Sequence, residues 1–275
     1  NIDTEKYDHV FCSVIFPGSM PYITGHNITY GGTGFDVSVK LLDEIEELDP
    51  DYSLYPENDK SYGFISRGCI RNCSFCFVPK KEGHIRQVST VDKIVRHPIT
   101  IFMDNNILAL PNHKEVLKEL VDKGIRCQFN QGLDLRLVDE ENSYLLSQMR
   151  YYREIIFAFD NWSYRDVLEE KLNLLEWRKD WQLKFFVYIH PDMPIADTMN
   201  RVRWLQDHKC LPYIMRDISC FDSEYSNFYT DLASFCNQPG FFKNMPFSVF
   251  LDKRLKDRER IRVSNNCFNL TLDKQ

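Results

Sequence analysis

No apolar run in this chain approaches the roughly 18–20 residues that a membrane span requires, and no basic–apolar–small leader opens it. A surplus of positive charge is missing too: 34 Lys and Arg stand against 40 Asp and Glu, a formal net charge of −6. That balance argues against a general binder of the phosphate backbone, although a local basic groove stays open. Low-complexity tracts are absent, and no internal repeat is found beyond a strand–helix rhythm.

What is present is an ordinary globular composition. Apolar residues make up 43% of the 275, aromatics 14% and charged residues 27%, enough for one large domain or one domain plus a smaller partner. The nine cysteines are an odd number in a chain long enough to fold without disulfide staples. Three fall within eight residues. The sequons at Asn27, Asn161 and Asn269 matter only in a secreted protein, and nothing else points to secretion, so a reducing, cytoplasmic compartment is expected.

From residue 62 onward short runs rich in Ile, Val, Phe and Tyr alternate with amphipathic stretches. The runs are Tyr62–Ser66, Ile99–Met103, Arg126–Phe129, Ile155–Phe159, Lys184–Ile189 and Pro212–Met215. Their length and content predict buried parallel strands. Helices are predicted from Ser89 or Thr90 to near His97, from Pro111 to Gly124, over Asp139–Arg150 and Ser163–Trp181, around Ile195–Leu205, and over Ser223–Cys236. Six strands, each followed by a helix at separations of about 30 residues, imply right-handed crossovers. The fold class expected is α/β, a parallel sheet curling into a partial (β/α)6 barrel over 61–240, with functional groups at the C-terminal strand ends.

Residues 1–60 read as a smaller α/β segment. It has strands at His9–Phe16 and Asn27–Tyr30, a turn at Gly31-Gly32-Thr-Gly34, and a helix at Val39–Leu48. The glycine run reads as a tight turn before it reads as a phosphate loop. Residues 241–275 form a C-terminal helical extension, in which the mixed charges of Lys253–Arg262 predict a solvated helix.

The segment that carries chemistry is Ser66-Arg-Gly-Cys69-Ile-Arg-Asn-Cys73-Ser-Phe75-Cys76. Three thiolates at C-x3-C-x2-C spacing on one loop can enclose a soft metal centre. Structural zinc normally takes four protein ligands, and His84 is the only nearby fourth. Three cysteines on a four-iron, four-sulfur cluster leave one iron open to a small molecule.

This motif resembles that of the radical S-adenosylmethionine (SAM) enzyme superfamily, C-x3-C-x-aromatic-C, with Phe75 as the aromatic. The resemblance includes the preceding strand and the six βα units, roughly residues 62–237. It implies that Cys69, Cys73 and Cys76 hold a 4Fe-4S cluster and that Phe75 lies near the adenine of SAM. It implies too that the end of the second strand, Asp104-Asn105-Asn106, receives the methionyl amino group. That stretch departs from the usual Gly-Gly-Glu-like element and is similar to the acidic strand end of the cobalamin-carrying branch. Asn130, Arg136, Asp160, His190 and Arg216, at later strand ends, are the further SAM- or substrate-binding expectations, with Arg136 suited to a carboxylate. Each has a plainer role as a core or loop-capping residue. Val78-Pro79, Gly83 and Arg86 loosely match the continuation found in methylthiotransferase-like and cobalamin-type members.

Such enzymes cleave SAM reductively to a 5′-deoxyadenosyl radical that abstracts hydrogen from substrate, with electrons from a donor such as flavodoxin or ferredoxin. The substrate is left open between small molecule, nucleotide or RNA, and peptide. Gly31-Gly32, Asp43-Glu44-Ile45 and Pro50-Asp51-Tyr52 resemble the last part of a cobalamin-binding-like domain. The Asp-x-His-x-x-Gly element that supplies a cobalt ligand is absent from these 275 residues. It lies upstream of Asn1, or the segment is a vestige that binds no cobalamin; the vestige is favoured. Cys12, Cys127, Cys210, Cys220, Cys236 and Cys267 read as buried thiols, with a second cluster as the alternative. The alternative to an enzyme is a zinc- or cluster-binding interaction module.

Overall fold

In the computed structural model, which describes residues 4–271, the chain is α/β with parallel sheets. Residues 1–3 and 272–275, the outer ends of the first and last predicted segments, lie outside the described residues. Near the start, β1 (Val10–Ser13) and β2 (Ile28–Gly31) form a separate parallel pair. β3 (Lys60–Gly63) opens the main array, and β4 (Ser66–Arg67) pairs antiparallel with β5 (Arg86–Gln87). The array continues with β6 (Ile99–Phe102), β7 (Arg126–Phe129) and the short β8 (Arg150–Tyr151), then β9 (Ile155–Ala158), β10 (Leu183–Ile189) and β11 (Leu211–Arg216).

Two parallel sheets result, β3-β6-β7-β8 and β9-β10-β11. A parallel bridge between Leu133 and Phe157 joins them, with the Leu133 N–H donating to the Ile156 carbonyl at 2.7 Å. All six predicted strands are present and stand in chain order. The first is shifted, because the chain leaves β3 after Gly63 and Ser66–Arg67 turn aside to pair with β5.

The helices are α1 (Asp43–Glu46), α2 (Val78–Lys81), α3 (Val91–Ile94), α4 (His113–Asp122), α5 (Glu140–Gln148), α6 (Arg165–Asn173), α7 (Ile195–Asp207), α8 (Ser226–Cys236), α9 (Pro239–Asn244), α10 (Phe247–Arg254) and α11 (Arg258–Phe268). Thr90 caps α3 by accepting from the Lys93 N–H, and Asp139 and Asn142 close a reciprocal capping box on α5. The main core joins the helices to one face of the sheet. In β10, Leu183, Phe185, Val187 and Ile189 lie in the same core as Met199, Val202 and Leu205 of α7. Lys184, Phe186 and Tyr188 alternate onto the opposite, half-buried face.

Four predicted elements are corrected. The helix expected over Val39–Leu48 is only α1: Leu42 offers no capping side chain and no residue of α1 is buried, so nothing extends so short a helix. The helix expected to reach Trp181 stops at Asn173, and Trp181 takes a left-handed φ of 65° while its N–H donates to the Lys209 carbonyl. The helix expected to end near His97 stops at Ile94; the Arg96 and His97 N–H groups donate instead to the Ser61 hydroxyl.

The run Lys253–Arg262 is not one solvated helix. It breaks after Arg254, Asp257 caps α11, and Arg260 turns inward to buried Asp231. Arg260 donates to Asp231 through Nε at 3.1 Å and Nη2 at 2.6 Å, and the Ser264 hydroxyl donates at 2.9 Å. The glycine run behaves as a tight turn: Gly32 has φ +93°, and a Cβ there would run into the Val14 carbonyl.

Removing one partner of a buried ion pair strands the other. Asp231→Ala is therefore expected to lower unfolding free energy by about 3 kcal/mol or more. Arg262→Ala, which breaks only the exposed pair with Glu259, should cost under about 1 kcal/mol. Urea denaturation of both variants checks the contrast.

Candidate cofactor-binding site

The cysteine loop leaves β4 through Gly68, which has φ +88°; a Cβ there would collide with the His84 carbonyl. The Cys69 N–H donates to the Gly83 carbonyl at 3.2 Å, so the β4–β5 clasp holds the root of the loop. Arg67 fixes the same root through ion pairs to Glu82 at 3.1 Å and to Glu46.

Residues at the C-terminal strand ends then hold the loop. After β6, the buried Asp104 carboxylate accepts from the Ile65 N–H at 3.2 Å, the Ser66 N–H at 2.5 Å and the Ser66 hydroxyl at 2.7 Å. Asn105 accepts from the Gly68 N–H at 3.0 Å. Buried Asn106 donates its amide to Cys69 Sγ at 3.5 Å, and its own oxygen has no partner. After β7, Asp134 joins two arginines: Arg71 of the loop donates through Nε at 2.8 Å, and Arg136 through Nε at 2.7 Å and Nη2 at 3.1 Å. Burial alone would raise the Asp134 carboxyl, but the arginines hold it below the ordinary range.

On β10, the Tyr188 ring stacks on Phe75, with centroids 4.0 Å apart and planes 14° apart. The Tyr188 hydroxyl donates to Asp217 at 2.8 Å, and its N–H to Asp160 at 3.2 Å. Burial raises Asp160 above the ordinary carboxylate value. Burial, then the charge of Asp160, pushes the Cys73 thiol up.

The predicted site residues thus fall into two groups. Phe75 is part of the loop, and Asp104, Asn105, Asn106, Arg136 and Asp160 surround it, though Asp104 and Arg136 already spend their polar atoms on protein partners. Asn130 is exposed and donates to Met103 Sδ at 3.8 Å. His190 accepts from the Asp192 N–H at 3.1 Å, and Arg216 donates to Thr230 at 2.9 Å with its guanidinium over Phe221; neither has a contact with the thiol loop.

Sequence reading missed Arg71 and Arg201 as site builders; Asp134 stands in the polar third strand end, Asn130–Arg136, that the sequence turns toward the same mouth. Arg201, fully buried, donates to the Phe159 and Tyr188 carbonyls at 2.9 and 3.0 Å and to Asp197 at 2.7 Å. Its signal was an Asp–Arg pair spaced i,i+4 on the face of α7 that also carries Met199, Val202 and Leu205.

The donor set suits a soft metal: three free, partly buried thiols on one loop, close enough to influence one another's ionisation. Cys69 Sγ also accepts from the Arg71 N–H at 3.3 Å, the kind of bond that tunes a cluster thiolate. Among the described residues no group of three or more His, Cys, Asp and Glu side chains is already gathered to hold a metal ion, and His84 is exposed. Cys127, Cys210, Cys220, Cys236 and Cys267 are buried and free, and Cys12 is half-buried. Among the described residues no helix is long and apolar enough to cross a membrane. No family model matches the chain, and no curated protein matches it.

Burial lifts the Asp104 carboxyl to about 6, against the bonds from Ser66 and Ile65 that favour its charged form. The folded state then keeps this proton to a higher pH than the unfolded chain, whose value is the ordinary 3.8. Stability is expected to fall as pH rises from about 4 to about 6 and to level off above, by about 3 kcal/mol at most. Asp104→Asn has no such proton, so it should lack this decline. Urea denaturation of both proteins across that window checks it; parallel curves refute it.

Proposed function

We propose that the chain is a radical SAM enzyme on a six-stranded partial barrel, with a 4Fe-4S cluster held by Cys69, Cys73 and Cys76. The observation that carries this reading is the placement of three free thiols on one loop. That loop is tied to the ends of β6, β7 and β10 by Asn106, Asp134 and Tyr188. When bound, the cluster and SAM supply one-electron cleavage of the sulfonium and a carbon radical that takes hydrogen from substrate.

The chain's own residues position and exclude. Asn106 directs its amide at Cys69, which orients that sulfur, and its unpaired oxygen can accept from a ligand ammonium. Arg71 and Arg136 share the single carboxylate of Asp134, which leaves a net positive charge beside the loop, suited to attract a ligand carboxylate. The Phe75–Tyr188 stack lays an aromatic wall along one side, suited to the adenine and to keeping water from a reactive carbon. Asp160 is the remaining acceptor facing the loop. The 1–60 segment is taken as a vestige, with no step through cobalamin. Electrons come from a donor of the flavodoxin or ferredoxin type.

Anaerobic reconstitution with iron and sulfide is expected to give a brown protein with about four irons per chain. With SAM and a strong reductant it should release 5′-deoxyadenosine. Cys73→Ala should lose both properties and Cys236→Ala should keep them. A colourless chain binding one zinc would establish an interaction module instead, and a full cluster that releases no 5′-deoxyadenosine would end the catalytic reading.

A further inference from the structure

The sheet face turned away from the helices carries a layer that the thiol loop does not use. Register places Tyr62 beside Ile101 and Ile101 beside Gln128, while Ala158, Phe186 and Tyr213 are neighbours across β9, β10 and β11. Alternation puts Phe186 one residue pair below Tyr188, so this layer lies directly beneath the ring that stacks on Phe75. Tyr62 and Tyr213 are 44% and 41% exposed, and Phe186 meets Tyr213 edge-on at 5.6 Å. The layer holds no charged side chain. Charge flanks it on both sides: Asp160 stands one step above Ala158, and one step lower Lys184 pairs with Glu154 at 3.0 Å while Lys60 and Arg126 lie over the Tyr152 ring.

Gln128 is the polar member of the Tyr62–Ile101–Gln128 row, and it reaches across to the second sheet just before β9. It is 4% exposed, its Nε2 donates to the Glu154 carbonyl at 2.9 Å, and its Oε1 is buried with no partner. The Nε2 bond fixes which end of the amide is oxygen. A buried acceptor without a donor is rare in a folded protein and calls for one. Ile99, Ile101 and Ile156 on this face are buried yet belong to no part of the main core, so the face is a lining of its own.

We infer that this layer is the substrate subsite, and that it takes a flat, uncharged ring bearing an N–H or O–H donor, accepted by Gln128 Oε1 and flanked by Phe186 and Tyr213. The inference rests on reading the strand ends as an active mouth, and it names the class of molecule that mouth admits. Aromatic walls select the flat ring. A neutral amide and the absence of charge select against ions, and a fixed buried acceptor rejects an isostere that lacks the donor.

Indole and benzofuran are probes of this kind, equal in shape and differing in one N–H. Saturation-transfer NMR on the 275-residue chain, with no iron added, is expected to show indole binding at least about tenfold more tightly than benzofuran. Gln128→Leu should erase that preference. Tyr213→Ala, at a half-exposed position that does not threaten folding, should weaken both probes severalfold. Equal binding of the two probes to the wild type, an unchanged preference in Gln128→Leu, or undiminished binding in Tyr213→Ala overturns the subsite. Displacement of indole by excess S-adenosylhomocysteine also overturns it, since the ring would then be occupying the nucleoside position. The readout needs no cluster. Failure to form 5′-deoxyadenosine with the indole preference intact defeats the enzyme reading alone, and the reverse result defeats the subsite alone.

Discussion

A single buried carboxylate organises the candidate site. Asp104 sits just past the end of β6 and gathers the Ile65 and Ser66 backbone together with the Ser66 hydroxyl. Those three donors belong to the segment that launches the cysteine loop, so the loop's direction is set before its first thiol. Asn105 repeats the device one residue further along, on the Gly68 N–H, and Asn106 extends it to Cys69 itself. Consecutive polar residues after one strand thereby fix three successive points of the loop. Burial makes this arrangement costly when charged, which is why so strongly hydrogen-bonded a carboxyl still holds its proton to about 6.

Much of the main architecture was legible because its strands are strongly marked. Most of the six runs are rich in β-branched and aromatic residues, Arg126–Phe129 with Phe129 alone being the exception, and a strand formed at each. The thiol loop was legible from its spacing alone. Less legible were elements whose limits depend on partners distant in the chain. Helix α6 ends at Asn173, and the segment after it is held by Trp177 donating to Ser143 and Arg178 donating to the His208 carbonyl, contacts no local pattern announces. The charged run near the C-terminus hid an inward arginine because only the fold brings Asp231 beside it.

The site residues divide along the same line. Position after a strand identified Asp104, Asn106 and Asp160 as close to the loop, since strand ends converge by topology. Position could not tell which polar atoms were already taken. Arg136, suited in isolation to an incoming carboxylate, is held by Asp134, and the loop's own Arg71 shares that partner. Arg201 was invisible because a guanidinium on an apolar helix face reads as a break in the pattern until two strand carbonyls are found beneath it.

Arg201 carries a mechanical consequence. Its guanidinium fastens α7 at once to the last turn of main chain after β9 and to the end of β10, two neighbouring strands. Sliding or fanning these strands apart would break several charge-assisted bonds inside the interior, where water cannot replace them. The sheet on this side is therefore stiff, and β9, β10 and α7 move as one body.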